Sequence, residues 1–153
     1  MIRCRRAVAA DVPVLRAMLQ ALADHDGGDY PVATEQSLLQ HGFGARVLFF
    51  AAIAERGDTP VGMVIYYPDF STHRGCPGVY VQDIYVGKSA RGAGVGRKLL
   101  AFMWLTQDWA AQYITLGVSP DNAEATGFYS RLGFCARGYQ VMILAGDDLT
   151  ALA

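Results

Sequence analysis

Three glycines within five residues mark the part of this sequence best suited to binding a phosphate group. The segment reads Arg91-Gly92-Ala93-Gly94-Val95-Gly96 and lies between a predicted strand and a predicted helix. Glycines let the backbone turn tightly and approach a ligand closely. Amides at the start of a helix lack partners within it and lie at the positive end of the helix dipole, which favours an anion. The segment therefore predicts a phosphate or diphosphate site, and nearby basic side chains add positive charge: Arg91, Arg97 and Lys98.

Two other glycine-rich phosphate loops do not match this segment. The dinucleotide-binding fingerprint requires G-x-G-x-x-G within a parallel βαβ unit, and the glycine spacing here is different. The P-loop requires Gly-Lys-Ser/Thr, whereas Gly96 is followed by Arg97-Lys98. A flexible glycine turn before an ordinary helix start remains the alternative interpretation.

The composition indicates a single globular domain over residues 1–153 and argues against several classes of protein. Hydrophobic residues make up 52% and charged residues 18% of the chain. The net charge of -1 gives no sign of nucleic-acid binding. The longest apolar run, Val47 to Ala54, is too short to span a membrane. Three scattered cysteines without a C-x-x-C motif favour reduced thiols in a cytoplasmic protein without a metal site.

The elements that must position the glycine segment follow from apolar periodicity and turn residues. The predicted strands are Ile2–Ala7, Val47–Glu55, Val61–Tyr67, Val79–Val86, Tyr113–Val118 and Tyr139–Leu144. The predicted helices are Asp11–Ala23, a second one capped by Thr34, Val95–Ala110 and Ala123–Leu132. Helices separated by a run of hairpins predict an α/β (α+β) fold with a mixed, mostly antiparallel sheet.

Two stretches of the chain carry a resemblance to a known family. Arg91-x-x-Gly94-x-Gly96 after a strand resembles the R/Q-x-x-G-x-G/A motif of the GNAT superfamily, and the stretch from Asn122-Ala123 through Phe128-Tyr129 to Gly133-Phe134 looks like its second conserved stretch. Further segments are similar to the spermidine/spermine N-acetyltransferase branch: Ala9-Ala10-Asp11, Thr34-Glu35, Leu38-Leu39, Gly42-Phe43-Gly44 and Tyr80 to Val86. The likeness extends from Arg6 to Phe134.

The resemblance implies direct transfer of an acetyl group from acetyl-CoA to a primary amine. It also implies a GNAT fold of about six to seven strands flanked by four helices, splayed between the fourth and fifth strands, and a homodimer. Unpaired strand edges in the splay could hydrogen bond the pantetheine arm. The residues that this resemblance assigns to the cofactor are Tyr85, Val86, Arg91, Gly92, Ala93, Gly94, Val95, Gly96, Arg97 and Asn122.

Tyr129 matches the family tyrosine that lies near the cofactor sulfur. The resemblance implies that its phenol protonates the departing thiolate as a general acid. The alternative is a helix-face aromatic packed on Phe128 and Phe134. Asn122 matches a position that contacts the cofactor, and its side chain can also serve as a helix cap.

A base is also required, because an alkyl ammonium is protonated at neutral pH and only the free amine attacks. Asp83 matches the family's aspartate, which could bind the ammonium or relay its proton through water. Adjacent strand residues face opposite ways unless a bulge intervenes, so Asp83 could instead be a solvated or capping charge. Gln82 stands where the polyamine branch has a glutamate. Its amide cannot usefully accept a proton, which argues against a base at this position and against a polyamine substrate.

Acidic residues before the second helix could surround a cationic substrate. Asp26 aligns with an acidic position of the branch, and with its neighbours it forms a plausible cation collar, the alternative being a solvated loop: Asp24, His25, Asp26 and Asp29. His25 and His73 are further candidate bases without a supporting motif. By analogy Pro68–Gly78 lies where an acceptor-binding loop is expected. The predicted substrate-binding residues are Asp26, Gln82 and Asp83.

The expected activity is transfer within a ternary complex to a diamine, a polyamine or a lysine-like amine. Acetylation of a protein N-terminus or lysine side chain is one alternative. A non-catalytic acyl-CoA-binding module is the other, and the loss of a carboxylate at Gln82 gives it some weight.

Overall fold

The computed structural model describes residues 1–28 and 31–152, which form two compact units, one that ends at Gly117 and one that begins at Val118. The first unit contains β1 (Ile2–Arg6), α1 (Val12–Asp26), α2 (Glu35–Phe43), β2 (Phe50–Arg56), β3 (Thr59–Ser71), β4 (Cys76–Val86), α3 (Val95–Thr106) and β5 (Ile114–Leu116). The second contains α4 (Ala123–Arg131) and the short α5 (Asp147–Thr150). Within these described ranges, no helix has both the length and the apolar composition needed to cross a membrane.

The five strands form one sheet in chain order, and this sheet confirms the predicted mixed, mostly antiparallel arrangement. The first three pairs are antiparallel, and β4 pairs with β5 in parallel. The parallel pairing is limited to Val79–Ile114, Tyr80–Thr115 and Val81–Leu116. Because β4 continues to Val86, the two strands part after Val81. The splay therefore lies where it is predicted.

Aromatic side chains hold the start of β5 against the hairpin of β3 and β4. A Cβ atom on Gly78 would lie 2.3 Å from the Tyr113 ring, so only glycine permits this contact. The Tyr113 hydroxyl donates to Asp69 at 2.7 Å, and the Trp109 indole N–H donates to the Gly78 carbonyl at 2.9 Å. These contacts attach β5 at one end of β4 and leave the other end unpaired on that side.

Helices α1 and α3 pack on opposite faces of the sheet. Leu15 and Met18 of α1 join Met63 and Ile65 of β3 in one buried cluster. Gly62 faces the other way, because successive strand residues alternate. A Cβ atom on Gly62 would lie 2.8 Å from the Tyr85 carbonyl oxygen and 3.2 Å from a methyl carbon of Val95. The glycine thus lets the first turn of α3 approach the sheet closely.

Several element boundaries differ from the sequence prediction. Helix α3 ends at Thr106 instead of Ala110, because Gln107 is extended and its side-chain oxygen accepts from the amides of Trp109 and Ala111 at 3.2 and 3.1 Å. The predicted loop Pro68–Gly78 is mostly strand. Its residues extend β3 and β4 to the pair Ser71–Cys76, which leaves the turn 72–75 between them.

The predicted last strand, Tyr139–Leu144, is wrong. The structure gives this segment no strand, and the described residues form five strands and five helices, against the six to seven strands and four helices expected. A run of aromatic, β-branched and other apolar residues favours a strand, but a strand also needs a neighbour whose backbone pairs with it. That neighbour is not encoded in the local pattern.

Candidate active site

The backbone of the glycine segment has the conformation that its sequence predicts. Gly92 and Gly94 have φ angles of 76° and 73°, in the left-handed region that favours glycine. A Cβ atom at either position would meet nothing within 4 Å. The glycines are therefore required for the backbone conformation, and the space beside them is open to a ligand.

The amides at the start of α3 are available to an anion. The first amide bond of the helix runs from Lys98 to the Gly94 carbonyl at 3.0 Å. The amides of Val95, Gly96 and Arg97 belong to the first turn, where no earlier carbonyl accepts them. They lie at the positive end of the helix dipole, beside glycines whose left-handed backbone forms the type of concave turn that holds phosphates. This arrangement fits a diphosphate.

The glycine loop is attached to the end of β4. Gly87 donates its amide to the Val61 carbonyl at 2.9 Å, and Ala90 is fully buried. The Arg91 side chain donates from Nε to the Val86 carbonyl at 3.2 Å. The loop therefore begins at the end of the part of β4 that pairs with β3 but has no β5 partner, which includes Tyr85 and Val86. The two features expected to hold CoA, a phosphate loop and a free strand edge, are adjacent.

A β-bulge places Gln82 and Asp83 together. Ile65 of β3 pairs with Asp83, but the next residue, Tyr66, pairs with Val81, so Gln82 is an extra residue in β4. In such a bulge two residues oppose one, and the usual alternation of side chains is interrupted. Asp83 shares the face of its partner Ile65, and Gln82 reaches the Tyr67 hydroxyl on that face at 3.2 Å. The bulge considered from the sequence is therefore present.

Asp83 is partly buried in a setting that disfavours its charge. Burial raises the pKa of this carboxyl, and repulsion from Asp26 raises the pKa further. Asp26 is the last residue of α1, where the helix dipole is negative. Two carboxylates at this end of a helix attract a cation, and a raised pKa makes Asp83 a stronger base than an ordinary aspartate.

A groove lies between β3, β4 and α2, and its lining includes Ile65, the cross-strand partner of Asp83, but neither Asp83 nor Asp26. Its volume is about 310 Å³. The residues that line it are Ala33, Ser37, Leu38, His41, Leu48, Phe49, Ile65, Tyr67 and Gln82. Tyr67 stacks on Tyr80 with ring centroids 5.1 Å apart, which fixes the ring that bonds Gln82. Most of the groove is apolar, and none of its lining residues carries a carboxylate or a basic amine or guanidinium group.

Tyr129 and Asn122 belong to the second compact unit. The Asn122 side chain accepts from the amide of Ala125 at 3.0 Å and caps α4, as the sequence predicts. Tyr129 is buried, with ring centroids 5.2 Å from Phe128 and 5.4 Å from Phe134. The packing alternative for Tyr129 is therefore present, and its role as an acid stays a prediction.

The remaining predicted residues have different surroundings. Asp24, His25 and Asp26 are not in a loop, because α1 continues past the predicted end at Ala23 to Asp26. Asp24 accepts from Gln20 at 2.9 Å on the helix surface. His73 lies exposed in the turn of the hairpin. Asp29, the fourth residue of the predicted collar, lies outside the described residues.

Sequence reasoning missed Tyr67 and the part of α2 that lines the groove. Tyr67 is one of eight tyrosines, and nothing near it in the sequence predicts a hydrogen bond to Gln82. Its partner is 15 positions away and is brought near only by the register of β3 and β4. Ser37 and His41 likewise form no motif with the strand residues.

This chain is similar in sequence to known acetyltransferases. The model of the Acetyltransferase (GNAT) family matches residues 15–134. Thialysine N-epsilon-acetyltransferase of Sus scrofa is 30% identical over 163 residues, which cover 97% of this chain and 95% of that protein. Spermidine/spermine N(1)-acetyltransferase-like protein 1 of Homo sapiens is 33% identical over 63% of this chain and 15% of that protein. An integron cassette protein from the mobile metagenome of V. cholerae shares the fold, with a TM-score of 0.77, 24% identity and coverage of 99% and 96%.

Substitution of Gly94 by alanine is expected to weaken CoA binding about tenfold or more. Alanine at a positive φ costs about 1–2 kcal/mol, so the loop shifts and its amides no longer converge on the diphosphate. Isothermal titration calorimetry with CoA measures the effect. Gly57→Ala is the matched control, because Gly57 has a φ of 61° and equally open space but lies in the turn between β2 and β3. Equal CoA affinity in the Gly94 variant and the unmodified protein would contradict the assignment of the loop.

Proposed function

We propose that this chain, which belongs to the acetyltransferase (GNAT) family, transfers the acetyl group of acetyl-CoA directly to the primary amine of a small molecule. The acceptor classes considered are diamines, polyamines and lysine-like amines. The observation that supports a small amine best is the pair Asp26 and Asp83, because the charge of Asp26 acts on Asp83, which lies in the part of β4 that has no β5 partner.

The donor is held by the glycine loop and the strand edge. We assign the diphosphate to the amides of the loop and of the first turn of α3, with Arg91 and Arg97 as added positive charge. The backbone of Tyr85 and Val86 is assigned to the pantetheine arm and to the thioester oxygen. Acetyl-CoA supplies a thioester whose carbonyl carbon forms the new bond and whose sulfur leaves.

Asp83 receives the ammonium of the acceptor and removes a proton from it, directly or through one water. Its raised pKa brings the carboxylate closer to the basicity that this step needs, and Asp26 adds attraction for the cation. The free amine then forms a C–N bond as the C–S bond breaks, and the nitrogen, which becomes positively charged in this step, releases its second proton to water. The departing sulfur takes the electron pair of that bond.

Tyr129 completes the proton balance in this proposal. Its hydroxyl gives a proton to the departing thiolate, and it regains one from solvent after the products leave. The contacts of Tyr129 with Phe128 and Phe134 hold the ring in one position, which a general acid requires. Asn122 is assigned to the cofactor as well as to its observed role as helix cap.

We further propose a homodimer and a cytoplasmic location. The segment that contains Tyr139, Val141, Met142 and Ile143 is apolar, and each of these side chains is at least 77% exposed. A second copy of the chain that packs against this segment would cover them. The three cysteines are free, as in a reducing compartment, and cell fractionation tests that location.

Light scattering of the purified chain is expected to give the mass of a dimer. Ile143→Asp should shift the mass towards that of a monomer, since a charge in an apolar interface is costly. Leu105→Asp is the control, because Leu105 is also an exposed apolar residue, at 80%, but lies on α3. A monomer mass for the unmodified chain would contradict the dimer.

Release of free CoA across a panel of acceptors tests the activity. The panel contains diamines, polyamines, lysine-like amino acids and peptides with a free N-terminus or lysine. Turnover of at least one small amine is expected. Exclusive turnover of peptides would show that the acceptor is a peptide and not a small amine.

In the same assay Tyr129→Phe keeps the aromatic packing and removes the hydroxyl, so it should lower kcat about 100-fold or more. An unchanged kcat would remove Tyr129 as the acid and leave the activity intact.

The pH dependence of kcat/KM should report the interaction of Asp26 with Asp83. Asp26→Asn removes the repulsion that raises the pKa of Asp83, so the acidic limb of the profile should move to lower pH. The pKa of the acceptor is the same for every variant and cannot cause this difference. Asp24→Asn is the control, because Asp24 also lies in the last turn of α1 but bonds Gln20. If the limb stays in place in Asp26→Asn, Asp83 is not the base.

A further inference from the structure

We propose that Tyr80 is a further catalytic residue, whose hydroxyl oxygen accepts a hydrogen bond from an N–H of the acceptor amine. The contact lies at the closed end of the splay, where β4 and β5 part after the pair Val81–Leu116. The bond directs the lone pair of the amine towards the thioester carbonyl carbon, and Tyr80 keeps its own proton. This inference rests on the proposed function and adds a residue to it.

The Tyr80 hydroxyl lies beside the first residue after β5. A Cβ atom on Gly117 would lie 3.3 Å from the Tyr80 hydroxyl oxygen. Tyr80 itself pairs with Thr115, and the pairing of β4 with β5 ends one residue later, at Val81 and Leu116. Gly117 is therefore the first residue of the chain beyond the paired part of β5, and the Tyr80 hydroxyl reaches to the closed end of the splay.

Tyr80 faces the same side of the sheet as Asp83. Side chains two residues apart along a strand share a face, so Tyr80 and Gln82 do, and the bulge at Gln82 brings Asp83 to that face as well. The charges around Tyr67 agree with this placement. Burial raises the pKa of the Tyr67 phenol, and the negative charges of an ionised Tyr80 and of Asp83 are among those that raise it further. The hydroxyl and the carboxylate therefore lie within electrostatic range of one phenol.

The Tyr80 ring is held in place, whereas its hydroxyl has no hydrogen-bond partner among the residues that the structure describes. The side chain is half-buried and stacks on Tyr67 with ring centroids 5.1 Å apart and an interplanar angle of 18°. The Tyr67 hydroxyl is engaged, because it donates to Oε1 of Gln82 at 3.2 Å. A phenol hydroxyl can both accept and donate a hydrogen bond. Tyr80 thus offers a substrate an oriented hydroxyl.

The proposed path of the two substrates brings the amine to this hydroxyl. The diphosphate site lies beyond Val86, so a pantetheine arm that follows the free edge of β4 carries its thioester from there towards the closed end of the splay. The ammonium is received by Asp83, on the face to which Tyr80 also belongs. An amine that leaves Asp83 for the thioester therefore meets Tyr80. One hydrogen bond from its N–H limits its orientation, and orientation of a reacting group contributes directly to rate.

Removal of the hydroxyl is the first test. Tyr80→Phe keeps the ring and its stacking, so kcat/KM for the amine should fall about tenfold or more, while the Kd for CoA stays unchanged by calorimetry. The acceptors are 1,5-diaminopentane, lysine and any other small amine that the panel turns over. Tyr66→Phe is the matched control, because its hydroxyl is hydrogen-bonded to the Thr106 side chain of α3, on the opposite face. This control should lower the melting temperature and leave kcat/KM unchanged.

An unchanged kcat/KM in Tyr80→Phe would overturn the proposal. A loss explained by weaker CoA binding would also overturn it, since Tyr80 would then act by shaping the donor site. Absence of CoA release by the unmodified chain with every acceptor would instead refute the proposed function.

Gly117→Ala tests the position of the hydroxyl without removing it. The added methyl group would lie 3.3 Å from the hydroxyl oxygen, which is closer than ordinary contact, so the hydroxyl must shift. We expect kcat/KM for the amine to fall about threefold or more when Tyr80 is present and to stay unchanged in the Tyr80→Phe background, where the hydroxyl is absent. An equal effect of Gly117→Ala in the two backgrounds would overturn the proposal.

Discussion

The close approach of α3 to the sheet at Gly62 is the constraint on which the site depends. A side chain at this position would collide with the Tyr85 carbonyl and with Val95, so any larger residue would push the first turn of α3 outward. The amides of that turn, and the glycine loop before it, are thereby held next to the end of β4. A phosphate site needs such fixed donors, because amides that must reorganise when a ligand binds lose much of their advantage.

A second constraint is the limited pairing between β4 and β5. Tyr113 on Gly78 fastens β5 at one end, and the pairing stops after Val81. The remaining edge of β4 is left for a ligand to use as a strand would, and the bulge at Gln82 occurs in the same stretch. The backbone that we assign to the donor and the carboxylate that we assign to the acceptor therefore come from one strand.

The sequence predicted the glycine loop, the two helix caps at Thr34 and Asn122, and the order of elements up to α4. These features are local, since a left-handed glycine or a capping side chain is decided by neighbours within a few residues. Prediction failed for Tyr139–Leu144 and for Pro68–Gly78. Tyr139–Leu144 has the residue types of a strand but has no pairing partner among the described residues. Pro68–Gly78 is rich in turn residues, but most of it pairs across the hairpin of β3 and β4.

By itself the sequence determined the family resemblance and the chemistry available at Arg91–Arg97, Asp83 and Tyr129, because residue types and short spacings suffice for these. Only the tertiary structure decided that Gln82 and Asp83 share a face, that Asp26 acts on the pKa of Asp83, and that Tyr67 donates a hydrogen bond to Gln82. Each of these depends on strand register and on where α1 ends. Register is set by the packing of the whole sheet, so a shift of one residue would turn the same side chains to the opposite face.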